Sequence, residues 1–347
     1  MSRGTGDTIF IDPSYSAYYE DRLFSSADSA LNRDGNLAPF GRLRDALNQR
    51  GITVHTADYL PSHDYSEAVS AYYSFGMLDN CQKLSKLKNV RMRGFIMLEP
   101  PVVAPNLYRS LPELTRAFDH VYLHNVSGDG FSLKGVDTSR LRKLYWPQPY
   151  DDVLSPYWEN TARQRRLVVI NGNHIPRSFH RQLYGRRIEA MAVLAKAGAV
   201  DLYGHGWEKW WLRSSMWHPY WLNRSALISI YKGPCASKYA VLSQYAFCLC
   251  FENMYMEGYL TEKLFDCLYA GTIPVYLGAS DIDDLVPTEA YVDSRKYASW
   301  VDLWDDLRSM SNVQIESMKE AGRKFIRSNG MSKYYNALPV IFSDSFK

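Results

Sequence analysis

Thr261, Glu262 and Lys263 set a hydroxyl, a carboxylate and an ammonium side by side at the start of a predicted helix. The first turn of a helix offers unpaired N–H groups and the positive end of the helix dipole, so an anion such as a phosphate is favoured there. Thr261 is the expected N-cap. Lys263 slightly opposes the dipole and calls for another reason, either an anionic ligand or simple solvation at the surface. A second candidate is Glu99, at the end of a predicted strand over 94–98 and followed by Pro100 and Pro101. It suits a general base on a rigid exit, or a carboxylate capping nearby N–H groups. His124 and the loop Asn171-Gly172-Asn173-His174 also follow predicted strands, and their imidazoles titrate near neutrality, although a lone histidine is more often structural.

Other patterns point away from metal chemistry. Asp281-Ile282-Asp283 has the spacing of an acidic pair for a divalent cation, but it reads better as a helix cap. Of the five cysteines, Cys81, Cys235, Cys248, Cys250 and Cys267, most lie in apolar or helical settings and read as reduced, buried thiols. Cys248 and Cys250, with one residue between them on a predicted strand, are expected on opposite faces rather than as a metal-site pair. Trp207, Trp210, Trp211, Trp217 and Trp221 form a lid for sugar stacking or fill a hydrophobic corner, and packing is the expectation for most of them.

The elements that must carry these residues alternate short apolar runs with helical stripes, the rhythm of parallel sheets covered by helices. Strands are predicted over 8–11, 52–55, 94–98 and 120–123, with a helix over 40–49. A segment rich in proline and aromatics around 145–156 reads as a linker. The pattern then restarts, with strands over 167–170, 200–203, 246–251, 273–277 and 290–292. Helices are expected over 179–197, 237–244, 261–270 and 281–286, and the remainder is largely helical. The fold class is therefore α/β with two Rossmann-like domains facing across a cleft, residues 1–155 and 156–347, the last helices able to pack back on the first domain. Ligands of such sheets sit beyond the carboxyl ends of the strands.

A chain of 347 residues exceeds one hydrophobic core. Forty basic against 37 acidic residues, a formal charge of +3, is too balanced for a nucleic-acid backbone as partner. The basic run Arg163, Arg165, Arg166, Arg177, Arg181, Arg186 and Arg187 is the exception, read as a surface for acidic lipid or polysaccharide, or in part as solvated surface. The amino-terminal stretch lacks a signal-like apolar run, and no stretch approaches the ~20 apolar residues that span a bilayer. A cytoplasmic chain is expected, compatible with peripheral association at the inner membrane surface.

The string Phe251-Glu252-Asn253, then Gly258-Tyr259-Leu260-Thr261-Glu262-Lys263, then Ala270-Gly271-Thr272-Ile273-Pro274-Val275-Tyr276-Leu277-Gly278 resembles the signature of the α-1,3/4-fucosyltransferases, glycosyltransferase family 10. Clear similarity covers about 232–292, with weaker similarity from 167 onward. The resemblance implies a GT-B fold with an acceptor-binding first domain and a donor-binding second. It further implies inverting transfer of L-fucose from GDP-β-L-fucose to a glycan hydroxyl, without a metal requirement for binding, divalent stimulation being left open. Asn253, Tyr259, Thr261, Glu262 and Lys263 are then donor-binding. An arginine early in the first helix of that domain would meet the diphosphate; spacing to Leu194 selects Arg187, with Arg186 as rival. Glu99 matches the family's catalytic glutamate, and His124, Asn173, His174 and Arg186 are candidates for donor or acceptor contacts. Met254-Tyr255-Met256-Glu257 departs from the polar gap many members carry. The same fold with another nucleotide sugar, and a glycan-binding module without chemistry, are the alternatives.

Overall fold

The computed structural model describes residues 8–62 and 70–343; residues 1–7, the first part of the amino-terminal stretch considered above, lie outside that range. Two compact units divide the chain, residues 1–150 with 332–347, and residues 151–331. The first holds β1 (Thr8–Asp12), β2 (Thr53–Thr56), β3 (Ser70–Ser74), β4 (Val90–Ile96), β5 (His120–Leu123) and β6 (Leu141–Lys143). They form a parallel sheet in the order β2-β1-β3-β4-β5-β6. Successive strand residues alternate between faces, so Ile9 and Ile11 join the core beneath the helices Ala38–Asn48 and Ala337–Ser343. Phe10 packs instead with Leu111 and Leu114 of the helix Leu111–Ala117. Phe342 stacks on Tyr73 at 4.0 Å between centroids, which fastens the last described helix to this sheet.

In the second unit β7 (Gln164–Ile170), β8 (Val200–Tyr203), β9 (Tyr245–Phe251), β10 (Ile273–Leu277) and β11 (Val292–Asp293) build a parallel sheet in the order β11-β10-β9-β7-β8. Every residue of β9 is buried, as the unbroken apolar run YAFCLCF requires of a central strand covered on both faces. Phe247, Leu249 and Phe251 pack with Ile188 and Met191 of the helix Tyr184–Lys196 and Leu303 of the helix Trp300–Ser309. Cys248 and Cys250 turn the other way, and both interact with Cys267 of the helix Glu262–Ala270. The expectation of opposite faces is thus overturned: residues two apart on a strand share a face. Among the described residues no group of three or more His, Cys, Asp or Glu is arranged to hold a metal ion, and no helix is long and apolar enough to cross a membrane.

Several boundaries differ from the sequence reading for local reasons. β4 runs from Val90 to Ile96, because Arg91 and Arg93 reach Asp119 at 3.2 and 2.7 Å and keep their charges paired within the strand. Glu99 therefore sits three residues past the strand, in the loop. The helix predicted from 179 begins at Tyr184. Arg181 has a left-handed φ of 55°, and Gln182 forms a bridge with Met254, so the preceding residues are held outside the helix. The strands β3 and β6 and the helices Pro105–Arg109 and Leu111–Ala117 were not anticipated.

The loops after β7 and β8 are tied through Gly204. Its φ is +139°, and an added Cβ would lie 1.9 Å from the Asn171 carbonyl oxygen. No side chain fits without moving backbone. Gly204→Ala is expected to lower stability by roughly 2 kcal/mol or more, read as an earlier urea midpoint; an unchanged midpoint would show that the two loops part freely.

Candidate functional site

Strand β9 ends at Phe251, and the next residue organises everything that follows. Glu252 donates its N–H to the Leu277 carbonyl at 2.8 Å, and its fully buried carboxylate turns back along the chain. Oε1 accepts the Thr261 N–H at 2.8 Å, and the Thr261 hydroxyl lies 3.0 and 2.8 Å from the two oxygens. One carboxylate thereby closes the loop 252–261. Gly278 is the reason it fits: an added Cβ would fall 2.4 Å from Glu252 Cγ and 2.4 Å from the Tyr276 hydroxyl.

Further ties fix the loop. Asp281 accepts the Gly258 N–H at 2.7 Å. Its carboxylate serves this loop and makes no hydrogen bond to the helix Ile282–Leu285, which corrects the capping role expected for it. On the other side Leu183 donates to the Asn253 carbonyl at 3.0 Å, and Tyr255 to the Arg181 carbonyl at 2.9 Å. Thr261 occupies the N-cap position with extended dihedrals, but its hydroxyl makes no capping bond, since Glu252 has taken it. Gly271, at φ 70°, closes the helix in the left-handed conformation.

Glu262 and Lys263 then line a cavity of about 80 Å³ together with Asn171, Lys238, Asp266 and Cys250. That volume suits a phosphate or part of a ribose rather than a whole nucleotide sugar, whose sites span roughly 300–1,000 Å³. The Lys263 ammonium is 3.0 Å from Thr261 Oγ1, 3.3 Å from Glu262 Oε1 and 3.4 Å from Glu252 Oε2. Burial opposes the charge on Glu262, yet Lys263 and Lys238 outweigh it and hold the carboxyl down to about 2. Its Oε2 is buried and meets no partner, which leaves an acceptor site open for a hydrogen-bond donor. Lys238 binds Asp266 at 2.5 Å, and Tyr239 donates to the same carboxylate at 3.0 Å. Burial raises the carboxyls of both Asp266 and Glu252.

Two implied donor residues are interior. Arg187 is 3% exposed, and its Nη2 donates to the carbonyls of Phe251 and Glu252 at 2.6 and 3.1 Å, while Nε is buried without a partner. It braces the end of β9. Tyr259 is 1% exposed and sits near Arg187. Arg186 is exposed, paired with Glu189 at 2.9 Å and lying over the Trp300 ring. It borders a second cavity of about 620 Å³ with Tyr255, Arg295 and Trp300.

His174 is exposed at the surface, and the desolvation of its ring together with the Arg187 charge lowers its basicity. Asn173 is buried; its amide donates to Gly206 O and Ser215 Oγ at 3.2 and 3.1 Å, so it ties two loops together. In the other unit His124 is fully buried, with Nε2 donating to the Leu98 carbonyl at 2.9 Å and its ring stacked on Trp146. These contacts pack the ring into the first unit. Glu99 is half-buried, and its carbonyl accepts the Tyr108 hydroxyl at 3.2 Å. The basic run does not form one surface: Arg163 binds the Tyr157 and Ala270 carbonyls, Arg166 pairs with Asp201, and Arg187 is interior.

Sequence reasoning missed Glu252, Lys238 and Asp266 as site residues. An acid in the otherwise apolar stretch LFDCLYA, one turn after Glu262, was the available signal for Asp266.

Residues 177–319 match the model of glycosyltransferase family 10 (fucosyltransferase), C-terminal part. The chain carries a glycosyltransferase family 10 domain. Similar curated proteins include an α-(1,4)-fucosyltransferase of Arabidopsis thaliana, 42% identical over 65 residues that make up 19% of this chain and 16% of that protein. Another is a GDP-fucose protein O-fucosyltransferase 3 of Rattus norvegicus, 33% identical over 132 residues, 38% of this chain and 24% of that protein. The chain thus spans about a quarter or less of the length of these relatives. A crystal structure of an α1,3-fucosyltransferase superposes with a TM-score of 0.53 at 16% identity, over 99% of this chain and 90% of that one. At that identity the likeness establishes the fold, which is GT-B. Glu252, Thr261 and Lys263 all lie inside the family 10 domain.

Removing the carboxylate leaves the Thr261 N–H and hydroxyl without their acceptor and takes from Lys263 one of its three oxygens, so Glu252→Ala is expected to cost about 2–3 kcal/mol, measured by urea denaturation. Glu252→Gln separates charge from shape. The folded Glu252 carboxyl is raised above 4.5 by burial, so its ionisation works against folding, and wild-type stability falls relative to the Gln variant as pH rises from 4.5 through the raised value. Parallel urea midpoints at pH 4 and pH 7 check this; a variant that gains nothing on going to pH 7 contradicts it.

Proposed function

We propose that the chain is an inverting fucosyltransferase that moves L-fucose from GDP-β-L-fucose to a hydroxyl of a glycan acceptor. The observation that carries this reading is the loop closed by Glu252, which delivers Glu262 and Lys263 to the start of a helix within a family 10 domain. A carboxylate with an open lone pair suits ribose hydroxyls, and an ammonium beside helical N–H groups suits a diphosphate. In the reaction Glu99 takes the proton of the acceptor hydroxyl, whose oxygen attacks the anomeric carbon from the face opposite the diphosphate. The bond to the diphosphate breaks as the new glycosidic bond forms, and the anomeric configuration inverts. Negative charge gathers on the departing GDP, where Lys263 and the first-turn N–H groups stabilise it.

The first unit would serve the acceptor and the second the donor. One similar protein is named for a protein acceptor, whereas the proposal commits to a glycan. Another nucleotide sugar, or binding without transfer, would surface in the same measurements.

GDP is expected to raise the melting temperature more than UDP or dTDP, by an amount equivalent to ~2.7 kcal/mol at a hundredfold excess over Kd. Lys263→Ala should abolish that shift. Glu99→Gln should keep it and reduce turnover about 10²–10⁴-fold. Product analysis with GDP-fucose and oligosaccharide acceptors completes the test. If no nucleotide stabilises the chain, transfer is ruled out, and near-normal turnover of Glu99→Gln would remove Glu99 as the base.

A further inference from the structure

The second unit exposes an apolar surface that the proposed reaction does not use. Phe179, Trp210, Trp211, Met216, Trp221 and Leu222 are between 57% and 76% exposed. The segment carrying most of them is anchored from below: Trp207 and Tyr220 are buried, the Tyr220 hydroxyl donates to the Trp207 carbonyl, and the Trp207 indole donates to the Asn171 carbonyl at 2.7 Å. With two aromatics of the segment holding it in place, the others are turned outward on a fixed support. Trp221 and Leu222 lie on the outer stripe of the helix His218–Ser229, whose residues Tyr220 and Leu227 face the core. Phe179 joins the patch through Trp217, at 6.3 Å between ring centroids. Most of the tryptophan cluster is therefore not core packing.

The segments that carry this patch are predominantly basic. The segments 174–182 and 205–224 contain Arg177, Arg181, Lys209, Arg213 and Arg224 against a single acid, Glu208. Exposed large apolar side chains gathered on two neighbouring loops and one helix are the mark of an interaction site in a folded protein. Indole rings prefer the boundary between lipid headgroups and acyl chains, and flanking Lys and Arg side chains add attraction to anionic headgroups. A neutral oligosaccharide would use the rings but not the exposed cations Arg177, Lys209 and Arg213, and Met216 and Leu222 offer nothing to a sugar.

We infer that this surface docks the chain onto an anionic lipid bilayer. The patch belongs to the loops leaving β7 and β8, which emerge at the same end of the sheet as the donor loop after β9. The two meet where Tyr255 donates to the Arg181 carbonyl and Gln182 bridges Met254. Docking brings the donor loop to the lipid surface, so the acceptor class this arrangement serves is a glycan displayed on a membrane. Adsorption itself does not depend on the identity of the donor.

Vesicles of phosphatidylcholine alone and of phosphatidylcholine with phosphatidylglycerol test the inference by co-sedimentation and by tryptophan emission. The expected result is binding to the anionic vesicles, a blue-shifted emission, and release at high salt. Arg177→Ser with Arg213→Ser should weaken partitioning roughly fivefold per charge removed. Trp210→Ser with Trp221→Ser should remove the emission shift. Both double variants should retain the melting transition and its nucleotide response, which reports an intact fold. Absence of vesicle binding overturns the inference. So does equal binding to both vesicle types, binding that survives both double variants, or saturable binding of a soluble acidic polysaccharide by a chain that ignores vesicles.

Discussion

A carboxylate with no access to water joins the end of β9 to the start of the following helix, and the geometry of the site depends on that join. Glu252 is in the chain where the sheet ends, and Thr261 where the helix begins, so their three contacts fix both ends of the loop with one side chain. Closing a loop of this length carries an entropy cost that grows only slowly with length, but holding its interior requires separate bonds. Asp281 supplies one at Gly258, and the backbone of 181–183 supplies two more. Arg187 supplies the last, by gathering the two carbonyls at the turn out of β9. Gly278 is the space that lets the carboxylate fold inward.

The charges beside this join explain what the small cavity can accept. Three acids, Glu252, Glu262 and Asp266, face two ammoniums, Lys238 and Lys263. An anion placed deep among them would meet a net excess of negative charge. The unpartnered Glu262 oxygen therefore calls for a hydroxyl, and the anionic part of a ligand belongs nearer the mouth. Lys238 is committed to Asp266 at 2.5 Å, whereas Lys263 divides itself among three oxygens at 3.0 to 3.4 Å. Of these two cations, Lys263 gives up less when it turns toward a diphosphate.

How much of this was legible follows from where the partners lie. Strands 120–123, 200–203 and 273–277 match the structure to the residue, because each is an apolar run with punctuation beside it, as Gly198 and Gly204 stand around β8. β3 escaped notice because SAYYS has serine at both ends, and β6 because three residues at an edge carry no period. In the site, Thr261, Glu262 and Lys263 could be read because they are contiguous and open a helix. The contacts that orient them could not: Glu252 to Thr261 spans nine residues, Asp281 to Gly258 spans 23, and Lys238 to Asp266 spans 28. Residue type proposes such pairs in great number, and only the sheet register selects among them.

Arg187 and Tyr259 show the same limit from the opposite side. Both have side chains suited to phosphate oxygens, and both lie close to the loop, yet both are buried. An arginine whose Nη2 satisfies two backbone carbonyls cannot leave them without stranding buried acceptors, each worth about 1–3 kcal/mol. Its replacement would disturb the end of β9, and through Glu252 the position of Lys263. Loss of nucleotide binding in an Arg187 variant would therefore be expected of a brace as much as of a ligand contact. Only the accompanying loss of stability, absent for a residue that touches nothing but ligand, separates the two roles.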